Sequence, residues 1–242
     1  MNDLRLGDCY SLIKQIPSHS IDCIITDPQY DVSISGGGTI NNVKKLNKSL
    51  NDLSDVNIDN GYDFSINNEF IRVMKQINIY IWCNKKQIID YFNLYVNERK
   101  CKFEIICWHK PNALPTYSNK YLSDTEYCLY FHEGGEVHPE SYEDAKTFYI
   151  APINTSDKKL FNHPTIKPLP IIEKLVRNST NPGDIILDPF MGSGTTGVAC
   201  NKNNRNFIGM EINEEFFNIA KNRIGDTQTI NPKNINGKKS LL

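Results

Sequence analysis

The stretch GDIILDPFMGSGTTGVACNKNNRNFIGMEINEEFF, residues 183–217, decides the fold. Asp184–Leu187 reads as a short buried strand, the glycines after it as a turn, and Thr195–Asn201 as a helix. Phe207–Ile212 is the next strand, and Asn213 is placed to cap a second helix whose first turn holds Glu214 and Glu215. Gly192, Gly194 and Gly197 fit G-x-G-x-x-G between strand and helix, and Glu211 closes the following strand about 20 residues on. Glycines there let backbone approach a ligand, and a carboxylate at that place accepts hydrogen bonds from both hydroxyls of a ribose. The spacing suits any adenosine-containing cofactor, a nicotinamide dinucleotide included, and close packing alone would also call for glycine. A P-loop is excluded, because no lysine follows the last glycine.

Outward from this unit, other strands and helices alternate. Ile21–Thr26 is a short apolar run broken by Asp-Pro, preceded by a weakly amphipathic turn at Leu12–Gln15. Ile77–Cys83 reads as a second buried strand followed by helical spacing over Gln87–Val96, and Phe103–Trp108 and Tyr127–His132 are two more strands. Leu169–Val176 is helical in pattern. Such βα alternation predicts a doubly wound, mostly parallel sheet in an α/β domain. Residues 31–60, rich in Gly, Asn, Ser and Lys, read as a long mobile loop, and 225–242 as a flexible polar tail.

Composition sets the outer bounds. At 242 residues and 39% hydrophobic, the chain can bury one sizeable core, so 1–224 is expected to be a single domain. A net charge of -1 gives no global sign of a nucleic-acid partner, so any such surface must be local. Cysteines 9, 23, 83, 101, 107, 128 and 200 form no CxxC pair, and the histidines form no HExxH, so neither a disulfide framework nor a metal centre is expected. The chain carries no apolar segment near membrane-spanning length and no signal-like start, and is expected to be cytoplasmic.

The segment HPTIKP, residues 163–168, and the Asp-Pro-Phe before the glycines separate the cofactors. Residues 163–224 resemble the C-terminal half of a β-class DNA amino-methyltransferase, in which the cofactor motifs follow the catalytic motif. The resemblance implies the seven-stranded fold of S-adenosylmethionine-dependent methyltransferases with permuted motif order, and S-adenosylmethionine as cofactor. It extends to the opening LGDCYSLIKQIPSHSIDCIITD, whose Gly-Asp pair would approach the adenine, although Asp8 also suits an N-cap. The cofactor residues it implies are Asp8, Cys9, Asp27, Thr165, Lys167, Asp188, Phe190, Gly192, Ser193, Gly194, Thr195, Glu211 and Ile212. Thr165 and Lys167 would lie at the methionine end, with Phe190 packing beside it; a solvated charge is the ordinary alternative for Lys167.

On the same resemblance, Asp27-Pro28-Gln29-Tyr30 is the catalytic loop, with Gln29 where relatives usually have proline. An exocyclic amine conjugated to a base is a poor nucleophile. Asp27 and the Pro28 carbonyl can each accept one of its hydrogens and localise its lone pair, while Tyr30 offers a face to a base that has left the helix stack. Taken alone, DPxY is an ordinary turn. Aspartate at its first position mostly accompanies adenine-N6 methylation in enzymes of this type and serine cytosine-N4, so adenine is expected and cytosine is the alternative. A nicotinamide-dependent oxidoreductase and an inactive DNA-binding module remain as readings from other classes.

DNA is the expected substrate. Lys44, Lys45, Lys48, His109, Lys110, Lys158 and Lys159 are candidate phosphate contacts, each equally explained as a solvated loop charge. Residues 110–160 resemble a target-recognition region, with Tyr117 and Tyr121 left open and Trp108 assigned to the core. A homodimer and a restriction endonuclease are further partners that the resemblance allows.

Overall fold

A computed structural model of the chain describes residues 1–28, 63–113, 115, 119, 121–134, 137–153 and 166–229. Gln29, Tyr30, the 31–60 loop with its three lysines, Tyr117, Lys158, Lys159, His163 and Thr165 lie outside the described residues, as does the tail beyond 229.

The chain begins with β1 (Asn2–Leu6), α1 (Cys9–Leu12), a 3-10 turn (Ile13–Gln15) and β2 (Cys23–Thr26). After residue 62 come α2 (Ile66–Val73), β3 (Asn78–Cys83), α3 (Ile88–Phe92) running into a π-helical turn (Asn93–Glu98), β4 (Lys102–His109) and β5 (Thr125–His132). Then follow α4 (Tyr142–Ala145), β6 (Phe148–Ile150), α5 (Leu169–Ser179), β7 (Ile185–Asp188), α6 (Thr195–Lys202), β8 (Asn206–Glu211) and α7 (Glu214–Thr229). Asn213 caps α7 as its position predicts: its Oδ1 accepts from the Phe216 N–H at 3.1 Å. The helix continues to Thr229, past Gly225, where the polar tail was expected to start.

The strands form one sheet in the order β1-β8-β7-β2-β3-β5-β4-β6. Pairings are parallel except at β5, which is antiparallel to both β3 and β4. The eighth strand beyond the seven expected is β6, three residues on the edge against β4. Every residue of β2 is buried, which is why CIIT is continuously apolar: a central parallel strand is covered on both faces. Alternate residues feed two cores. Ile24, Ile79, Leu129 and Leu187 meet α1, α2 and α3 on one face. Cys23, Ile25, Tyr80 and Ile186 meet α5, α6 and α7 on the other.

The carboxyl ends of β1, β2, β3, β7 and β8 share one edge of the sheet, as the parallel registers Leu6 with Glu211, Asp188 with Gly209, and Thr26 with Ile81 require. Because β5 runs the other way, its first residues return to that same edge. In open α/β sheets ligands bind in the crevice outside these strand ends.

Candidate active site

A cavity at this edge is lined by residues from every strand end: Gly7–Tyr10 after β1, Thr26 and Asp27 at β2, Trp82 on β3, Asp188–Ser193 after β7, and Glu211 and Ile212 at β8. Ile166 and Lys167, preceding α5, close it from above the sheet face that α5 covers.

The glycine turn is pinned to β8 where the Met191 N–H donates to the Met210 carbonyl at 3.0 Å. Gly192 and Gly194 have φ of 51° and 81°, the left-handed region that glycine enters without strain. The Gly192 N–H donates to Glu211 Oε2 at 3.0 Å, and the Asn213 N–H to Oε1 at 2.8 Å. Burial raises the Glu211 carboxyl above its ordinary range, and these N–H groups oppose the rise. The other two fingerprint glycines answer to packing inside the protein. A Cβ on Gly197 would sit 2.4 Å from Ile224 Cδ1 and 2.7 Å from the Phe207 ring, and one on Gly194 2.9 Å from Ala220 Cβ. Gly194 is also absent from the cavity lining, so ligand approach explains Gly192 and not all three.

Asp8 is the N-cap of α1 and also faces the cavity. It accepts from the Tyr10 N–H at 3.2 Å and the Ser11 hydroxyl at 2.9 Å, and it lies beside Cys9 in the lining. Ser193 and Thr195 are buried in the lining, and Arg223 donates to the Ser193 carbonyl and hydroxyl. Phe190, Ile212 and Phe216 add apolar wall. Asp188 is braced from three sides: Oδ1 accepts from Thr26 Oγ1 at 3.0 Å and from the Phe190 N–H at 3.2 Å, and Oδ2 from Thr196 Oγ1 at 2.7 Å. It ties the glycine turn to the strand that carries Asp27.

Asp27 follows β2 directly, with Pro28 buried behind it. Lys167 Nζ lies 2.5 Å from Asp27 Oδ2, which replaces the solvated reading of this lysine: its side chain is only 8% exposed. The same ammonium is 3.1 Å from Glu126 Oε2 and 5.1 Å from the centroid of the Trp82 ring. Lys110 reaches Glu126 Oε1 at 2.9 Å, so its ammonium is already ion-paired. His109 stacks on Phe148, 6.0 Å between centroids, with Asp124 3.7 Å away. Trp108 is core, as expected, its indole N–H donating to the Ala151 carbonyl at 2.8 Å. Tyr121 is fully solvent-facing.

Glu126 and Trp82 belong to the site although their residue types and positions carry no motif. One signal existed for Glu126, a carboxylate opening the otherwise apolar strand TEYCLYFH, but only the antiparallel return of β5 says where it lands.

The lining holds four carboxyl groups, Asp8, Asp27, Asp188 and Glu211, against one lysine that is itself ion-paired. A pyrophosphate would be repelled there, whereas a sulfonium and an ammonium are attracted. The Trp82 indole N–H is buried in the lining with no acceptor among the described residues, a donor that a bound molecule can engage. The residues present therefore fit S-adenosylmethionine and disfavour a nicotinamide dinucleotide.

A family model described as DNA methylase, of N6/N4 type, matches residues 21–222. The Type II methyltransferase M2.MboI of Moraxella bovis is 31% identical over 240 residues, covering 90% of this chain and 85% of its own. The Type II methyltransferase M2.LlaDCHI of Lactococcus lactis subsp. cremoris is 31% identical over 247 residues, covering 92% and 89%. Among solved structures, the M1.HpyAVI complex with S-adenosylmethionine superposes with a TM-score of 0.66 at 28% identity, covering 92% of this chain and 100% of that one.

Proposed function

The chain belongs to the N6/N4 DNA methylase family, and from that premise we propose that it methylates the N6 amine of adenine in a specific DNA sequence, with Asp27 and Pro28 receiving the amine. It is an S-adenosylmethionine-dependent DNA methyltransferase of α/β fold. The single observation that supports Asp27 as the amine's acceptor is its placement. It stands at the end of the central strand β2, in one cavity with the Gly192–Glu211 corner and held by a buried lysine.

The cofactor supplies an electrophilic methyl on a sulfonium. Everything else falls to the protein. The Asp27 carboxylate and the Pro28 carbonyl accept the two amine hydrogens, drawing the nitrogen from planar toward tetrahedral and freeing its lone pair for attack. No covalent bond to the enzyme is required. Glu211 and the apolar wall of Phe190, Ile212 and Phe216 are assigned to the nucleoside, and the carboxylates of the lining to the positive charge. Because Asp27 lines a cavity, the base must leave the duplex to reach it.

Adenine is preferred to cytosine because the first position of the tetrapeptide is Asp27 and not serine. Nucleoside analysis of DNA incubated with enzyme and labelled cofactor decides: N6-methyladenine is expected, and N4-methylcytosine as the sole product overturns the assignment. A Type II restriction–modification role, with an endonuclease acting on the same sequence, rests on the names of the two curated relatives. Among the described residues no helix is long and apolar enough to cross a membrane.

A further inference from the structure

Four charged groups of alternating sign run through the site as a ladder. Lys110 pairs with Glu126 at 2.9 Å, Glu126 with Lys167 at 3.1 Å, and Lys167 with Asp27 at 2.5 Å. Each lysine also lies over an indole, Lys110 5.4 Å from the Trp108 centroid and Lys167 5.1 Å from that of Trp82. The two indoles meet edge to face, 6.5 Å apart. Neither lysine is therefore a loose tether. Planar faces and carboxylates fix where each ammonium can be.

With Asp27 as its single counter-charge, Lys167 could follow that carboxylate wherever the substrate drew it. A second carboxylate on the opposite rung removes this freedom. Glu126 is delivered by the antiparallel return of β5, where Trp108 is its cross-strand partner and Tyr127 pairs with Cys83. We propose that Glu126 is a positioning residue for methyl transfer: acting through Lys167, and itself anchored by Lys110, it fixes the Asp27 carboxylate where the target amine arrives. The inference rests on the reading of Asp27 as the amine's acceptor.

The charge states support the geometry. Burial disfavours the Lys167 ammonium, but Asp27 and Glu126 outweigh it and hold the group above the ordinary lysine range. Burial likewise pushes Glu126 up, and Lys167 and Lys110 bring it down to about 2. Around Lys167 the other titratable groups are the Cys83 and Cys128 thiols, both raised by burial and so neutral, while Asp188, itself raised to about 7 by burial, is electrostatically coupled to Asp27. Lys167 and Glu126, the two inner rungs, therefore stay charged near neutrality, so this pair holds a shape and does not shuttle a proton.

The test compares full-length wild type, Glu126→Gln, Glu126→Asp and Asp27→Ala in labelled methyl transfer to unmethylated genomic DNA, with cofactor binding measured by calorimetry. Glu126→Gln is expected to lower kcat by about 30-fold, the size of an orientation effect, with cofactor Kd changed less than about 3-fold. Glu126→Asp recovers part of the rate. The proposal is overturned if Glu126→Gln keeps the kcat of wild type while Asp27→Ala is inactive. An active Asp27→Ala enzyme instead overturns the reading of Asp27, and the ladder's role with it. Should Glu126→Gln fail to fold, Lys110→Gln decides, a several-fold loss of kcat at unchanged cofactor binding supporting the proposal and wild-type kcat refuting it.

Discussion

Asp27 and Asp188 end neighbouring strands and live in opposite electrical settings. Asp27 faces the Lys167 ammonium, whereas Asp188 is buried among two threonine hydroxyls and one N–H, with no ion-pair partner among the described residues. Burial pushes Asp188 up to about 7, against the pull of those three hydrogen bonds. The folded chain thus keeps a proton that the unfolded chain releases from its ordinary 3.8 upward, so the stability Asp188 contributes falls as pH rises from 3.8 to about 7. Asp188→Asn keeps the shape and removes the titration. The drop in its melting temperature between about pH 5 and pH 7.5, followed by calorimetry, is expected to be smaller than that of wild type. Equal drops would show that Asp188 titrates as an ordinary carboxyl. At this scale the sequence made Asp27 and Glu211 legible, because strand ends and glycine spacing mark them. Glu126 stayed hidden because its partners are set by strand direction and not by any local pattern.

Among the elements, the contact of α6 with α7 and β8 explains the glycine fingerprint better than the ligand does. Gly197 faces Ile224 and the Phe207 ring so closely that a methyl group has no room. Gly197→Ala should gain about 1 kcal/mol of helix propensity and lose about 1–3 kcal/mol to overpacking, for a net fall in melting temperature. Combining it with Ile224→Val, which removes the nearer atom, recovers part of that fall in a thermal melt. An unchanged melting temperature for the single variant would mean that the helices shift apart at no cost. The strands and helices with strong apolar runs lie close to their predicted bounds: Asn78–Cys83 against 77–83, Leu169–Ser179 against 169–176. Four elements carry no such run and were not read. The edge strand β1, NDLRL, is only half-buried. The strand β6 is three residues long with Phe148 and Ile150 exposed. Helix α4 buries no residue at all, and α2, INNEFIRV, buries Asn67 along with Ile66, Phe70 and Val73, which blurs its apolar face.

Across the whole molecule the sheet interleaves the two ends of the chain. The first strand pairs with the last, where the Met1 amino group donates to Asn206 Oδ1 at 2.6 Å, and β2, which leads into Asp27, lies between β3 and β7. Asp22 adds a second tie, its side chain accepting from the Ile185 N–H at 2.9 Å. Alternation of strands and helices made the layered α/β class legible, but not this order. Nor could it show that β5 reverses and so closes the site from the side opposite the glycine turn.

The order has a consequence during synthesis. While the ribosome is still making the last third of the chain, β1 lacks β8, the strand it pairs with, and β2 shows an open edge of unpaired N–H and C=O groups where β7 will dock. An unpaired edge of that kind is a template for association with other chains. A fragment ending at residue 153 is therefore expected to enter the pellet on expression, and co-expression of residues 154–242 to return it to the supernatant. A soluble, monomeric fragment would mean that the early strands protect themselves. If they do not, the cell must shield this chain from its neighbours until translation reaches β7, and slower synthesis of the intervening stretch would lengthen the exposure.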